Sequence, residues 1–208
     1  MRTTAVKRGL AALAALLLVA LALFWFAYRP WALHWGATDE GIARAMPGDD
    51  VVAAPTFNAT RAVTIDAPTE AIWPWIIQIG YRRAGFYSYD RLDNDGIPSA
   101  ERIIPELQQL AVGDSIPLAR SAYAVVAALE PNRTMLLVVA EDGPWTWAWG
   151  LYPDAAGRTR LVTRLRMDAT DIRVRLMLDA VEIIMMRKCM LGIRRRAEEY
   201  RNGLRGQR

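Results

Sequence analysis

The chain has 208 residues, of which 53% are hydrophobic, and its 26 Lys and Arg against 22 Asp and Glu leave a net charge of +4. The cations are scattered along the chain and form no stripe, which argues against nucleic acid as a partner. One cysteine, Cys189, and one histidine, His34, exclude an internal disulfide, a His/Cys zinc site, and a Ser-His-Asp or Cys-His arrangement within a globular domain.

Arg2, Lys7 and Arg8 precede an uncharged apolar stretch from Leu10 to Tyr28. Roughly nineteen helical residues reach about 28 Å, close to the hydrocarbon thickness of a bilayer. A cleaved signal peptide is the competing reading, but it needs a shorter apolar core and a small-x-small site. Phe24-Trp25-Phe26-Ala27-Tyr28-Arg29-Pro30 offers no such site. Residues 1–29 therefore read as an uncleaved signal-anchor. Trp25, Tyr28, Trp31 and Trp35 suit the interface at its far end, and Pro30 is expected to stop the helix. More cations lie before the span than just after it, which predicts a cytoplasmic N-terminus and a periplasmic or otherwise extracytoplasmic domain.

Residues 30–59 read as a juxtamembrane tether, broken at Gly36, Pro47-Gly48 and Pro55, with a short helix over 39–45 capped by Thr38. The remaining 60–205 have the length of one domain with a real core. Val63 and Ile65 alternate with Thr64 and Asp66 as in a half-buried strand. Pro68 ends that strand, Thr69 is a candidate cap, and Ala71, Ile72, Trp75, Ile76 and Ile79 fall at helical spacing up to Gly80. Pro74 is expected to bend this helix or shift its start. Asp93-Asn94-Asp95-Gly96 resembles part of a calcium loop, but Arg91 and Arg102 would occupy its first and twelfth liganding positions, which argues against the ion.

Beyond Gly113 the period changes. Residues 115–119, 123–129, 134–140, 146–152 and 159–168 are β-rich runs separated by turn residues, a meander of hairpins. In the last run Leu161, Thr163, Leu165 and Met167 alternate with Arg160, Val162, Arg164 and Arg166, predicting one apolar face and one that carries arginines into solvent. From Thr170 to about Gly203 no proline interrupts the chain, so one long helix is expected, long enough to cross a sheet.

Strand, short helix, meander and long C-terminal helix, together with Ala62-Val63-Thr64-Ile65-Asp66-Ala67-Pro68 and Ile72-Trp73, resemble the helix-grip fold of the START and SRPBCC superfamily. Gln78-Ile79-Gly80 with the 83–90 segment is similar to a bacterial subgroup of it. The resemblance implies an α+β fold, a curved antiparallel sheet wrapped on the C-terminal helix, with an elongated apolar cavity between them. It implies no cofactor, no metal and no shared catalytic residues.

Within that frame Trp147, Trp149 and Leu151 share one strand face and are candidate walls, Met177, Met185, Met186 and Met190 are adaptable ones, and Trp145 has an outward place at the membrane-facing rim as a further option. Ordinary core packing is the alternative for each. The loop 82–90 is the polar candidate. Arg83 would face an anionic head or carbonyl, Phe86, Tyr87 and Tyr89 would line the mouth, and Asp90 is the only carboxylate proposed as a catalytic base. A structural turn locked by Gly85 explains the same residues. Three functions follow: a membrane-anchored binder or carrier of a hydrophobic small molecule such as a lipid, quinone or polyketide-like compound; a cyclase- or isomerase-type enzyme; or a protein-interaction or stress-response module. Membrane lipid is the other expected partner.

Overall fold

The apolar N-terminal stretch is one continuous helical rod in the computed structural model, which describes residues 2–139 and 144–205. It comprises α1 (Arg2–Leu23), a π turn (Phe24–Tyr28) and α2 (Arg29–His34). Pro30 does not stop it. The π turn, closed by Arg29 N–H donating to Phe24 O, widens the helix just before the proline, and such bulges are where a missing donor is absorbed. Val6–His34 is long and apolar enough to cross a membrane, and none of its most apolar window is buried in the protein.

A short helix, α3 (Asp39–Ala43), follows, with Thr38 Oγ1 accepting from Gly41 N–H at its start. Then come β1 (Phe57–Ile65) and α4 (Thr69–Ile77), which keeps Pro74 inside it. Thr69 is the first helical residue and not the cap; Pro68 takes that position without a side-chain bond. A single helical turn, α5 (Asp90–Asp93), leads to the meander: β2 (Ser115–Ala119), β3 (Ala122–Glu130), β4 (Thr134–Val139), β5 (Trp145–Pro153) and β6 (Thr159–Met167). Ala140, the expected end of the fourth strand, lies outside the described residues. The chain closes with α6 (Ile172–Met177), a second π turn (Leu178–Glu182) and α7 (Ile183–Arg205).

The six strands form one antiparallel sheet in the order β1-β6-β5-β4-β3-β2. Hairpins join consecutive strands from β2 onward, and β6 returns to pair with β1, so the opening strand becomes an edge beside the closing one. Against one face pack α4 and α7, around Ile65, Ile72, Ile76, Trp149, Leu161, Met190 and Ile193. This α+β arrangement, a sheet folded against one long terminal helix, is the helix grip.

The opposite face is not left to water. The chain between α2 and β1 runs across it, burying Met46 against Ala62, Leu136, Ala148 and Val162. The arginines expected in solvent are drawn into this layer: Arg164, 4% exposed, donates to Thr60 Oγ1, to the Ile42 and Arg44 carbonyls and to Asp49, while Arg166 donates to Val52 O. The physical reason is that a segment without ladder or helix partners carries carbonyls that need donors, and guanidinium groups supply several each. Asp49 sits between the two, pairing with Arg164 at 2.6 Å and with Arg166 at 3.4 Å.

Candidate functional site

Between sheet and C-terminal helix lies a cavity of about 270 Å³ with an almost wholly apolar lining. Trp145 and Trp147 of β5 form its flat wall, with Leu118 of β2 and Ala122 of β3 beside them. Glu182, Met185, Met186 and Cys189 come from the helix, and Phe86, Ser88 and Asp93 close the third side. The inner tryptophan is fixed by its own chemistry: Trp147 Nε1–H donates to Thr163 Oγ1 at 2.8 Å, and its ring packs against Trp149 at 4.9 Å and Phe86 at 6.4 Å. A wall of locked rings facing thioether side chains keeps shape on one side and adapts on the other.

Two carboxylates reach this apolar space. Glu182 pairs with Arg61 Nη1 at 2.5 Å, and Arg61, 1% exposed on the inner face of β1, also donates Nε–H to Ala32 O at 2.7 Å. Burial pushes the Glu182 carboxyl up, and its arginine partner pulls it back. Asp93 has no arginine partner, and both its oxygens are shielded from solvent. Desolvation first, then the charge of Asp90, holds its carboxyl above the usual range. Ser88 beside it donates to Met185 O, which ties the loop to the helix. Cys189 is buried, and desolvation pushes its thiol up, so it presents an inert S–H and not a thiolate.

The structure gathers Phe86, Trp145, Trp147, Met185 and Met186 at the cavity, buries Leu151 and Met190 in the core, and puts the other sequence candidates elsewhere. Trp149 is fully buried behind Trp147. Tyr87 turns away toward α4, its hydroxyl donating to Trp75 O and accepting from Gln78 Nε2. Tyr89 is exposed beneath the Lys188 ammonium, 3.8 Å from its ring centre. Arg83 donates to Ile77 O and faces a separate polar cleft with Glu106 and Asp114. Asp90 accepts from Ser99 Oγ at 2.5 Å and borders a groove shared with Glu101 and Arg196. Met177 is half exposed on the outside of α6.

The reason lies in the backbone. Tyr87 has φ +57, a left-handed conformation held by Tyr87 N–H donating to Ser99 Oγ and by close approach to α7, where a Cβ on Gly192 would come within 2.5 Å of Tyr87 O. That twist sends neighbouring side chains in directions no strand or helix period predicts. Gly85 is needed in the same loop: its φ is +73, and a Cβ there would run into Ser99. The calcium-like residues are structural as well, since Asn94 accepts from Arg82 N–H and donates to Ile97 O, and Asp95 accepts from Tyr81 Oη and Arg82. Tyr87→Phe is expected to lower stability by about 1–2 kcal/mol through the lost buried hydrogen bonds, measured by urea unfolding, while leaving the cavity's contents unchanged.

Asp93 and Glu182 were not singled out from the sequence. Asp93 sits inside the calcium-like motif, and Glu182 reads as one solvated charge on a long helix. The available signal was Arg61, an arginine in phase with Val63 and Ile65 on a strand face that must be apolar, which demands a buried counter-charge.

No family model matches the chain, and no curated protein matches it. Solved structures similar to it include DynU16 of the dynemicin biosynthetic locus, at 15% identity and TM-score 0.43, covering 65% of this chain and 46% of that one. The match thus spans less than half of that longer protein. The Polyketide_cyc-like protein Cgl2372 from Corynebacterium glutamicum matches at 18% identity and TM-score 0.36 over 66% of this chain and 89% of that one. CalU16 from Micromonospora echinospora matches at 15% identity and TM-score 0.37, covering 70% and 86% respectively. Polyketide-cyclase-like proteins are thus among its structural neighbours; they carry no chemistry to this chain.

Proposed function

We propose that the chain is a membrane-anchored binder or carrier of a hydrophobic small molecule, held in the cavity between sheet and α7. The observation that carries this reading is an apolar cavity built into a body that is ion-paired to an apolar, bilayer-length rod. A domain kept at the bilayer works at a high effective concentration of any guest dissolved there. Phe86, Trp145, Trp147, Met185 and Met186 would clasp the apolar part of the guest. Asp93, whose carboxyl burial holds above its ordinary range, would meet a carbonyl, ester or hydroxyl group of the guest, which favours a guest with one such group over a plain hydrocarbon.

In this reading residues 1–29 are the anchor, 30–59 a linker laid on the sheet, and 60–205 the binding domain, outside the cytoplasm. A reporter fused after Arg208 that works only in the cytoplasm would contradict that orientation. Organic extraction of the purified full-length chain followed by mass analysis tests the binding itself: one class of apolar compound in near-equal amount with protein is expected, and an empty extract would refute it.

Asp93 adds a pH dependence whose sign is fixed. A carboxyl raised in the folded state takes away no stability below its unfolded value near 3.9; it takes away progressively more as the pH climbs through the raised folded value. Asp93→Asn is therefore expected to be more stable than the parent at pH 7, with no difference near pH 3. Urea unfolding at the two pH values measures this, and equal effects at both would contradict a desolvated carboxyl.

A second reading, a cyclase- or isomerase-type enzyme acting on an apolar carbonyl compound, is favoured by the same desolvated carboxyl. Its base or acid would be Asp93 and not Asp90, which lies outside the cavity. Asp93→Asn would then keep the guest bound but abolish its conversion.

A further inference from the structure

The rod and the C-terminal helix meet in a register that says how deep the latter reaches. Tyr28 Oη donates to Ala180 O at 2.6 Å, Arg29 Nε lies 2.9 Å from Asp179, and the Arg187 guanidinium sits over the Trp35 ring. From Tyr28 with Ala180 to Trp35 with Arg187 both chains advance by seven residues, so the two helices pass each other in the same sense. Ile172 precedes Ala180 by eight residues, which carries α6 roughly 12 Å beyond the Tyr28 contact, back along the side on which the rod is apolar.

What α6 presents there is unpartnered. Ile172, Leu176, Met177, Val181 and Ile184 are 45% exposed or more, an apolar display that water disfavours. Arg173 and Arg175 stand among them, and Arg187 and Lys188 flank the junction with the rod. On the rod, Trp25 and Trp31 are likewise half exposed near this level. Apolar residues interleaved with arginines, beside interfacial tryptophans, match the acyl and anionic headgroup layers of a bilayer.

We propose that α6 and the π turn after it are a wedge seated in the interfacial layer of the membrane beside the rod. This rests on reading the rod as a membrane span. The wedge ends at Glu182 and continues directly into Met185 and Met186, so the helix that dips into lipid is also a wall of the cavity, and a guest leaving the acyl layer would pass from one to the other along a single element.

Spin labels on the full-length chain test the proposal. In a Cys189→Ala background reconstituted into nanodiscs of phosphatidylcholine and phosphatidylglycerol, Ile172→Cys, Leu176→Cys and Val181→Cys would be labelled, with Leu17→Cys as the reference within the rod and Tyr123→Cys on exposed β3 as the reference in water. Expected is a reversal: collisions with oxygen exceed those with a water-soluble nickel chelate at Leu17, Ile172, Leu176 and Val181, and the opposite holds at Tyr123. A deep Leu17 with Ile172, Leu176 and Val181 as watery as Tyr123 overturns the wedge and leaves the anchor standing. A watery Leu17 overturns both.

Discussion

Glu182→Leu is expected to destabilise the folded chain by about 3–5 kcal/mol, because it leaves the Arg61 guanidinium buried without its counter-charge. Arg61 is 1% exposed and Glu182 Oε2 lies 2.5 Å from it, so the desolvation of one ion is tolerable only in the presence of the other. Replacing both, Arg61→Met with Glu182→Leu, should recover most of the loss, since an apolar pair of similar volume has nothing to desolvate. Urea unfolding of the detergent-solubilised chain, run as a double-mutant cycle, reads the difference. Arg61 also donates to Ala32 O, so Arg61→Met, alone or in the pair, should loosen the rod from the domain, visible as new proteolysis between Trp35 and Arg44. Additive losses would mean that the two charges are solvated independently.

Ala122→Trp is expected to empty the cavity without unfolding the domain. Ala122 borders the cavity but is itself exposed at the start of β3, so a large ring there can fill the space beside Trp145 with little strain on the sheet. Stability should stay within about 0.5 kcal/mol of the parent, while the amount of co-extracted guest falls about tenfold, equivalent to 1.4 kcal/mol of lost binding. A variant of unchanged stability that retains its guest would place the binding elsewhere.

The contrast between these two sites explains what the sequence made legible. The six strands and the long closing helix follow from local periodicity, because burial of one face imposes a repeat of two or of 3.6 residues, and the rod follows from the length of an uncharged apolar run. Trp147 and Met185 were found the same way, as large residues in phase with an inner face. Arg164 was misassigned to solvent because strand alternation says which face a residue occupies and nothing about what later covers it. Pro30 failed as a stop for a related reason: the π turn that accommodates it has no sequence signature. In the 82–99 loop, Arg82, Tyr87 and Asp95 adopt positive φ, so the polar side chains expected at one mouth scatter to separate surroundings, and Asp93, four residues beyond Tyr89, joins Ser88 at the cavity. Such directions are set by long-range contacts with Ser99 and Gly192, which no short window contains.

Native mass spectrometry of the full-length chain, released from detergent, bears most directly on whether the hollow between sheet and helix holds an apolar guest. One small molecule per chain is predicted for the parent and its loss in Ala122→Trp; a bare polypeptide mass for the parent, under conditions that preserve its fold, would contradict the binding role.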